Sequence, residues 1–439
     1  MRINLIQIDI RRAVVLASLA LIATSCSRSL PTAPASSEAV SSRYGADAFA
    51  TRGLENQVVV TFAPGVNPTT LAAEYSAVVV TSETGEQMAS FRPVAGQTAL
   101  ALMDQLTLDG RIVTAEPNQW IEPAEARQQS FAFDDGAGSG ATYAEQPAAV
   151  ALGIARAHDI ATGRGVKVAI LDTGADLTHP KLRYNIVGGW DFVNNDAIAA
   201  EQRDFIDNDR DGRVDEAYGH GTHVAGIVHL VAPDAQLLIV RVLDADGRGD
   251  IVNVAAGVHW AIENGAKVIN LSLGSIRNTD ALQHALADAE SLGVIVVTSA
   301  GNSGTQQLDF PGFSSHAFGI AAVDANGATA PFSSYDNDVR LSAPGVGIRS
   351  TYPGGTYRLW SGTSMSAPFV AGTAALLAEK HPAWTMLEVR VRLKNTVGPI
   401  TGPNAKLFGD GALNVAAALA PEPPLYNPNP GVNEDIRPH

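Results

Sequence analysis

The sequence predicts an α/β protein built on a doubly wound, mostly parallel sheet with helices on both faces, preceded by a small α+β domain. Beyond Gln146, apolar and β-branched runs alternate with segments of helical periodicity. Runs that are apolar throughout are typical of strands covered on both faces, and their alternation with helices is typical of parallel sheets. The predicted strands are 166–171, 236–243, 267–273 and 294–298, and the clearest helices are 251–263 and 281–292. Reactive groups are then expected at the carboxyl ends of the strands.

Length and composition narrow the class of protein further. The chain has 439 residues, which is enough for two folded units plus processing segments. Hydrophobic residues make up 46%, as expected of a large packed core, and the formal charge of -15 opposes binding to nucleic acid or anionic membranes. Nothing in the sequence indicates oligomerisation, so a monomer is expected.

The N-terminus, residues 1–26, has the features of a secretory signal peptide. Arg11 and Arg12 precede an almost wholly apolar run, 13–23, that is too short for a permanent membrane span. The only cysteine, Cys26, follows small residues and resembles the lipid-accepting cysteine of bacterial lipoproteins, although Ala23 stands where Leu is preferred. The protein is therefore expected to be secreted, or held as a cell-envelope lipoprotein through Cys26. A single cysteine excludes a disulfide within the chain.

Changes in composition divide the rest of the chain. Residues 27–54 are rich in Ser, Ala and Pro and predict a flexible leader. Residues 55–123 predict an α+β domain, with strands at 58–62, 77–81 and 112–121 and helices at 69–75 and 97–106. A glycine-rich processing linker, 124–142, precedes the main domain, 143–420, and the Pro-rich and Asn-rich tail, 421–439, is expected to be disordered.

Three short motifs hold residue types that suit nucleophilic catalysis. Asp172 ends a predicted strand, His220 begins a helix of small residues, and Ser364 begins an apolar helix. Each is commonplace alone, because aspartates and serines often cap elements and a histidine is often a core residue, as we expect for His223. No glutamate follows His220 as a zinc-protease helix motif requires. The serine motif has Ser366 where the nucleophile elbow of α/β-hydrolases has glycine.

The residue sequences of these motifs, their spacing and their Asp-His-Ser order resemble those of the subtilisin-like serine proteases, and the resemblance covers about 143–420. The resemblance implies that Ser364 is the nucleophile, that His220 is its general base and that Asp172 orients the histidine. The segment Ser299-Ala300-Gly301-Asn302 resembles the one whose asparagine donates to the oxyanion, so Asn302 and the backbone N–H of Ser364 are expected in that role. Residues 55–123 resemble the family's inhibitory propeptides, which fill the substrate cleft until the chain cuts itself.

The resemblance also implies how substrate binds. Residues 270–274 resemble the edge that pairs with an extended peptide. Asp309 aligns with the base of the primary specificity pocket, where relatives usually have Gly or Asn; a carboxylate there favours Lys or Arg, but Asp309 is also compatible with a solvated or turn-capping role. The expected substrate-binding residues are Ser272, Leu273, Gly274, Ser299, Ala300, Gly301 and Asp309.

An acidic insertion, 205–216, predicts a structural calcium site. Acids alternate along it and are followed by Gly212, as in a calcium loop, but Tyr218 stands where a full EF-hand loop has its glutamate. The alternative is a solvated acidic loop. Lys181 replaces the aspartate that follows His-Pro in relatives, so that family site is expected to be absent. The candidate ligands are Asp207, Asp209, Asp211, Arg213, Asp215 and Glu216.

The expected activity is therefore that of a serine endopeptidase that acts on peptides and proteins through an acyl-enzyme and needs no cofactor for its chemistry. Two alternatives stand beside it. A catalytically inactive relative that serves as a calcium-dependent binding module would be favoured by a missing triad residue, and none is missing. A lipase or esterase would require a different turn around the serine.

Overall fold

A computed structural model describes residues 53–83, 85, 87–125, 132–134, 136 and 140–421. The predicted signal peptide with Cys26, nearly all of the leader, most of the linker and the tail after residue 421 lie outside the described residues. Within the part that is described, no helix combines the length and apolar character needed to cross a bilayer.

The N-terminal unit is an antiparallel sheet of four strands, in the order β2-β3-β1-β4, packed against two helices. All three predicted strands and both predicted helices are confirmed, with shifts of a few residues at their ends. The fourth strand, β3, was not predicted, because its sequence Met-Ala-Ser-Phe-Arg-Pro has no β-branched residue. The elements are β1 (Gly53–Phe62), α1 (Pro68–Glu74), β2 (Ala77–Glu83), β3 (Met88–Pro93), α2 (Ala99–Leu106) and β4 (Ile112–Ile121).

The main domain contains a seven-stranded sheet in the order β12-β11-β10-β9-β5-β7-β6, and all of its strand pairs are parallel. The four predicted strands and the two clearest helices are confirmed. The elements are α3 (Gly140–Ala144), α4 (Pro147–Leu152), α5 (Ile154–His158), β5 (Lys167–Asp172), β6 (Ile186–Asp191), α6 (His220–Val231), β7 (Gln236–Arg241), β8 (Gly249–Asp250), α7 (Ile251–Glu263), β9 (Val268–Leu271), α8 (Asp280–Ser291), β10 (Ile295–Ser299), β11 (Phe318–Val323), β12 (Leu341–Pro344), β13 (Ile348–Tyr352), β14 (Thr356–Trp360), α9 (Thr363–Lys380), α10 (Met386–Lys394), a 3₁₀ turn (Ala405–Leu407) and α11 (Val415–Leu419).

Helices cover both faces of this sheet, as the apolar strands predict. In β5, Val168 and Ile170 pack into the cluster that contains α6 and α9. Their neighbours Ala169 and Leu171 pack into the cluster that contains α7 and α8. Alternate side chains of a strand point to opposite faces. Both faces are therefore buried, which confirms the doubly wound architecture.

The N-terminal unit packs against α7 and α8 through the sheet strand β4. Its last residues pair with β8, with Ile121 opposite Gly249. Glu116 of β4 accepts hydrogen bonds from the backbone N–H groups of Asp280 (2.7 Å) and Ala281 (2.9 Å) at the start of α8. These N–H groups have no partner within their own helix, so the side-chain oxygens of Glu116 satisfy donors of a main-domain helix. Burial raises the pKa of this carboxyl group to about 8.

Candidate active site

Asp172 and His220 meet where β5 ends and α6 begins. Nδ1 of His220 lies 2.7 Å from Oδ1 of Asp172, and both side chains are fully buried. The backbone of α6 approaches the turn after β5 so closely that a Cβ on Gly221 would overlap the carbonyl oxygen of Gly174. Glycine at position 221 is therefore required by this contact.

Ser364 is the second residue of α9, a helix buried along nearly its whole length. Pro368 lies four residues further on and has no N–H, so the carbonyl of Ser364 lacks its usual helical donor. Oγ of Ser272 donates to that carbonyl instead, at 2.9 Å. The predicted substrate edge is thus tied to the helix that presents the serine.

Asn302 follows β10 and is held by the residue before Ser364. Its Oδ1 accepts from the backbone N–H (2.9 Å) and the hydroxyl (2.8 Å) of Thr363. This orientation leaves Nδ2 directed toward the space beside Ser364. The structure therefore brings together all four residues that the sequence assigns to the chemistry.

A carboxylate that the sequence did not single out occupies this space. Oε1 of Glu125 accepts from Nδ2 of Asn302 (2.9 Å) and from the backbone N–H of Ser364 (3.2 Å). Its Oε2 accepts from Oγ of Ser364 at 2.5 Å and lies 3.5 Å from Nε2 of His220. A Cβ on Gly362 would overlap this carboxylate. Glu125 therefore fills the position expected for an oxyanion and separates the serine hydroxyl from the histidine.

The protonation of His220 depends on two carboxylates. Burial opposes its charged form, but the carboxylates of Asp172 and Glu125 outweigh that effect and raise the pKa of His220 to about 10. Burial likewise opposes the charge of Glu125, and its contacts with His220, Ser364 and Asn302 outweigh burial and lower its pKa. The histidine is consequently an imidazolium at neutral pH and cannot accept a proton from Ser364.

The chain leading to Glu125 lies in the cleft as an extended strand. Glu122 exchanges two backbone hydrogen bonds with Gly274, of 3.0 and 2.8 Å. The preceding residue, Ile121, pairs with Gly249 on the other side and is fully buried in the same hydrophobic cluster as Leu273. This is the geometry of recognition by an added strand, and its partner is the segment that the sequence assigns to substrate.

Asp309 lies between the segments 272–274 and 299–301. A Cβ on Gly274 would stand 3.0 Å from Cβ of Asp309, and one on Gly301 would stand 2.5 Å from Oδ2 of Asp309. Its backbone N–H donates to the carbonyl of Ala300 at 3.0 Å. The residues assigned to the specificity pocket are therefore adjacent, while the preference for basic side chains stays a prediction.

His223 is a buried core residue, as expected. Its Nε2 lies 3.1 Å from the carbonyl oxygen of Ile348 and 3.2 Å from that of Arg358. Burial and the nearby charge of His220 lower its pKa to about 3. The Trp360 ring packs edge-on against both His220 and His223. His223 thus supports the neighbouring imidazole by packing.

Three acids of the insertion form a compact group. Oxygens of Asp207, Asp209 and Asp211 lie within 4.8 Å of one another. The backbone N–H groups of Asp211 and Gly212 donate to Asp207, which closes the loop around the carboxylates. A hard cation such as Ca²⁺ fits this oxygen-only set.

Three of the six predicted ligands lie outside that group of carboxylates. Oδ1 of Asp215 instead accepts the backbone N–H groups of Asp204 and Phe205, and its side chain is fully buried. Burial and the neighbouring charge of Asp246 raise the pKa of Glu216. The difference arises because Asp215 has positive φ (54°), which turns the chain after the loop. Arg213 follows Gly212, and only its carbonyl group suits a cation.

Comparisons with known proteins agree with this architecture. The model of the subtilase family, Peptidase_S8, matches residues 163–416. Subtilisin BL of Lederbergia lenta is 44% identical over 266 residues, which cover 58% of this chain and 91% of that protein. Thermitase of Thermoactinomyces vulgaris is 42% identical over 274 residues, 60% of this chain and 92% of the relative.

Among solved structures, fervidolysin from Fervidobacterium pennivorans, described as a keratinolytic enzyme related to subtilisin, matches with a TM-score of 0.68 and 25% identity. The match covers 85% of this chain and 62% of that protein, so the chain spans less than two thirds of fervidolysin. Because the family model covers more than half of the chain and the folds agree, this protein belongs to the subtilase family and is a subtilisin-type serine endopeptidase.

Proposed function

We propose that Asp172, His220 and Ser364 hydrolyse peptide bonds through an acyl-enzyme. Oγ of Ser364 attacks the substrate carbonyl while its proton passes to Nε2 of His220, and Asp172 stabilises the imidazolium that forms. Nδ2 of Asn302 and the N–H of Ser364 donate to the oxyanion. The proton then passes to the leaving amine, and water releases the acyl group by the same steps. The observation that carries this proposal is the convergence of the two N–H donors beside Ser364 Oγ.

Covalent labelling tests this assignment directly. A fluorophosphonate probe is expected to label the mature enzyme, and Ser364→Ala is expected to lose both labelling and peptide hydrolysis. Retained hydrolysis by Ser364→Ala would overturn the role of Ser364. Hydrolysis of lipid esters with no cleavage of peptides would favour the lipase alternative.

We also propose that the chain is made as an autoprocessed zymogen, with residues 55–123 as inhibitory propeptide and cleavage within 124–142. Three contacts support this: Glu122, which follows β4, pairs with Gly274 of the substrate edge, Glu116 accepts from the first N–H groups of α8, and Glu125 occupies the oxyanion position. Self-processing predicts that Ser364→Ala accumulates as an uncut precursor. Normal maturation of that variant would indicate that another protease makes the cut.

The substrate is proposed to be a peptide or protein bound as an extended strand along residues 272–274. The pairing of Glu122 with Gly274 supports this mode, since it uses only backbone groups. Asp309 is proposed to favour Lys or Arg before the scissile bond. Reporter peptides that differ only in Arg or Phe at that position test it, and a preference for Phe would count against Asp309.

Ca²⁺ is proposed as a structural ion held by Asp207, Asp209 and Asp211 with the carbonyl of Arg213. The closeness of three carboxylates in a closed loop supports this site. The ion would offset the repulsion between the acids and would take no part in peptide hydrolysis.

Export is proposed from the N-terminal sequence, with release outside the cell as the outcome. Fractionation of expressing bacteria tests it, since active enzyme is expected in the medium. Recovery in the membrane fraction that is abolished by Cys26→Ala would instead indicate a lipid anchor.

A further inference from the structure

The carboxylate of Glu201 lies between the segment that follows Asp172 and the start of the helix that holds His220. Its Oε1 accepts from the hydroxyl of Thr173 (2.5 Å) and the backbone N–H of Gly219 (2.9 Å). Its Oε2 accepts from the backbone N–H (3.0 Å) and the hydroxyl (2.7 Å) of Thr222. Thr173 directly follows Asp172, while Gly219 and Thr222 flank His220. One side chain therefore joins both sides of the Asp172–His220 contact.

The backbone holds Glu201 firmly in this position. Its N–H donates to the carbonyl of Ala175 at 2.9 Å, and the N–H of Ala175 donates to the carbonyl of Ala199 at 3.1 Å. A Cβ on Gly174 would stand 2.9 Å from the carbonyl of Ala200. The segment 199–201 thus lies against the turn that follows β5, and the glycine permits that approach.

Thr173 extends the link to both partners of the contact. Its backbone N–H donates to Oδ1 of Asp172 at 2.8 Å, and its hydroxyl oxygen accepts from the backbone N–H of Gly221 at 2.9 Å. The N–H groups of Gly221 and Thr222 are among the first of α6 and have no acceptor within the helix. A negative charge at a helix start is favourable. Glu201 therefore fixes α6 relative to the end of β5.

We propose that Glu201 is a positioning residue of the hydrolytic reaction. It holds the imidazole of His220 in contact with Asp172, in the orientation that His220 needs to accept the proton of Ser364. This inference rests on the roles proposed for Asp172 and His220. Glu201 does not contact the reacting atoms. Loss of the Glu201 carboxylate would leave its four hydrogen-bond donors unsatisfied and would allow the start of α6 to move away from the end of β5.

The test compares mature wild-type enzyme with Glu201→Gln, which keeps the volume but replaces one oxygen by a donor group. We expect kcat to fall about 10- to 100-fold, because small misplacements of a reacting group have effects of that size. KM is expected to stay within about twofold, because the substrate edge at 272–274 is untouched. The low-field NMR signal of the His220 Nδ1 proton is expected to shift or broaden.

Glu379 provides a matched control. Its Oε2 also accepts backbone N–H groups of a loop, those of Thr162, Gly163 and Arg164. It lies near the far end of α9, about 22 Å along the helix from Ser364. Glu379→Gln is expected to lower thermal stability while leaving kcat per titrated active site and the His220 proton signal unchanged.

The outcomes separate this inference from the proposed function. If Glu201→Gln does not fold or mature, Thr173→Val removes the linking hydroxyl alone and is expected to lower kcat in the same way. Unchanged kcat in the folded variants, or a loss equal to that of Glu379→Gln, would overturn the role of Glu201. If Ser364→Ala, measured in parallel, retained hydrolysis, the proposed catalytic role of Ser364 would fail instead.

Discussion

Replacing Glu125 in the precursor should release the catalytic residues from inhibition. Glu125→Gln keeps the shape of the side chain and removes its charge, whereas Glu125→Ala also empties the oxyanion position. Comparing them separates the effect on the charge of His220 from simple blocking. Glu122→Gln is the control, because Glu122 pairs with Gly274 through backbone groups that the substitution retains.

The magnitude follows from the distance between the charges. Oε2 of Glu125 lies 3.5 Å from Nε2 of His220. At an effective dielectric constant near 20, such a pair interacts by roughly 4–5 kcal/mol, equivalent to about three pKa units. Removing the charge should therefore bring the pKa of His220 from about 10 to roughly 7. At pH 7.5 the neutral fraction of the imidazole would rise from about 0.3% to about three quarters, an increase of roughly 200-fold.

The assay is the rate of self-cleavage of purified precursor, followed on gels from pH 6 to 10, over roughly the range in which the imidazole titrates. The imidazolium is the favoured form below its raised pKa, so the neutral base appears only as pH rises toward about 10. The rate of the unmodified precursor should therefore climb about tenfold per pH unit between about 7 and 9. Glu125→Gln should level off near pH 7, and Glu125→Ala should be at least as fast.

Equal rates for Glu125→Gln and the unmodified precursor at pH 7.5 would refute the electrostatic reasoning. A pH profile that is flat in the unmodified precursor would do the same. If only Glu125→Ala accelerated cleavage, blocking of the oxyanion position would be the inhibitory effect. Acceleration by Glu122→Gln would indicate general loosening of the strand.

Three further perturbations test the surroundings of the site. Asn302→Ala should lower kcat of the mature enzyme by about 100- to 1000-fold, the range established for the corresponding donor of a subtilisin, and a loss confined to KM would exclude the oxyanion role. Chelation with EDTA should lower the melting temperature, because Ca²⁺ at a free concentration of 100 times its Kd adds about 2.7 kcal/mol to the free energy of unfolding. Asp211→Asn should respond less to EDTA, and identical unfolding with and without EDTA would argue against the site. In the Ser364→Ala precursor, Glu116→Gln should lower the free energy of unfolding by about 1–3 kcal/mol, because an N–H group at the start of α8 loses its acceptor. Denaturant titration measures this difference, and no change would mean that water takes the place of the lost side-chain oxygen.

The sequence was sufficient where the signal is local. Apolar runs such as Val168–Leu171 are strands because every side chain is buried, and the pattern is visible without any partner. Strand β3 escaped prediction because its place in the sheet depends on pairing with β1 and β2, and its own residues have weak strand preference. The acids of the insertion were identified by spacing, but the direction of Asp215 depends on a backbone turn that spacing does not encode.

The sequence by itself determined the family and the identity of the four residues expected to do the chemistry, because their motifs are continuous stretches in which each neighbour is constrained. Only the tertiary structure revealed Glu125 and Glu201. Glu125 reaches Ser364 across 239 positions, and Glu201 reaches Thr173 across 28. A lone glutamate in a loop has no local pattern that distinguishes it from a solvated one. Its role is decided by which donors the packed chain brings to its oxygens, and that depends on the whole fold.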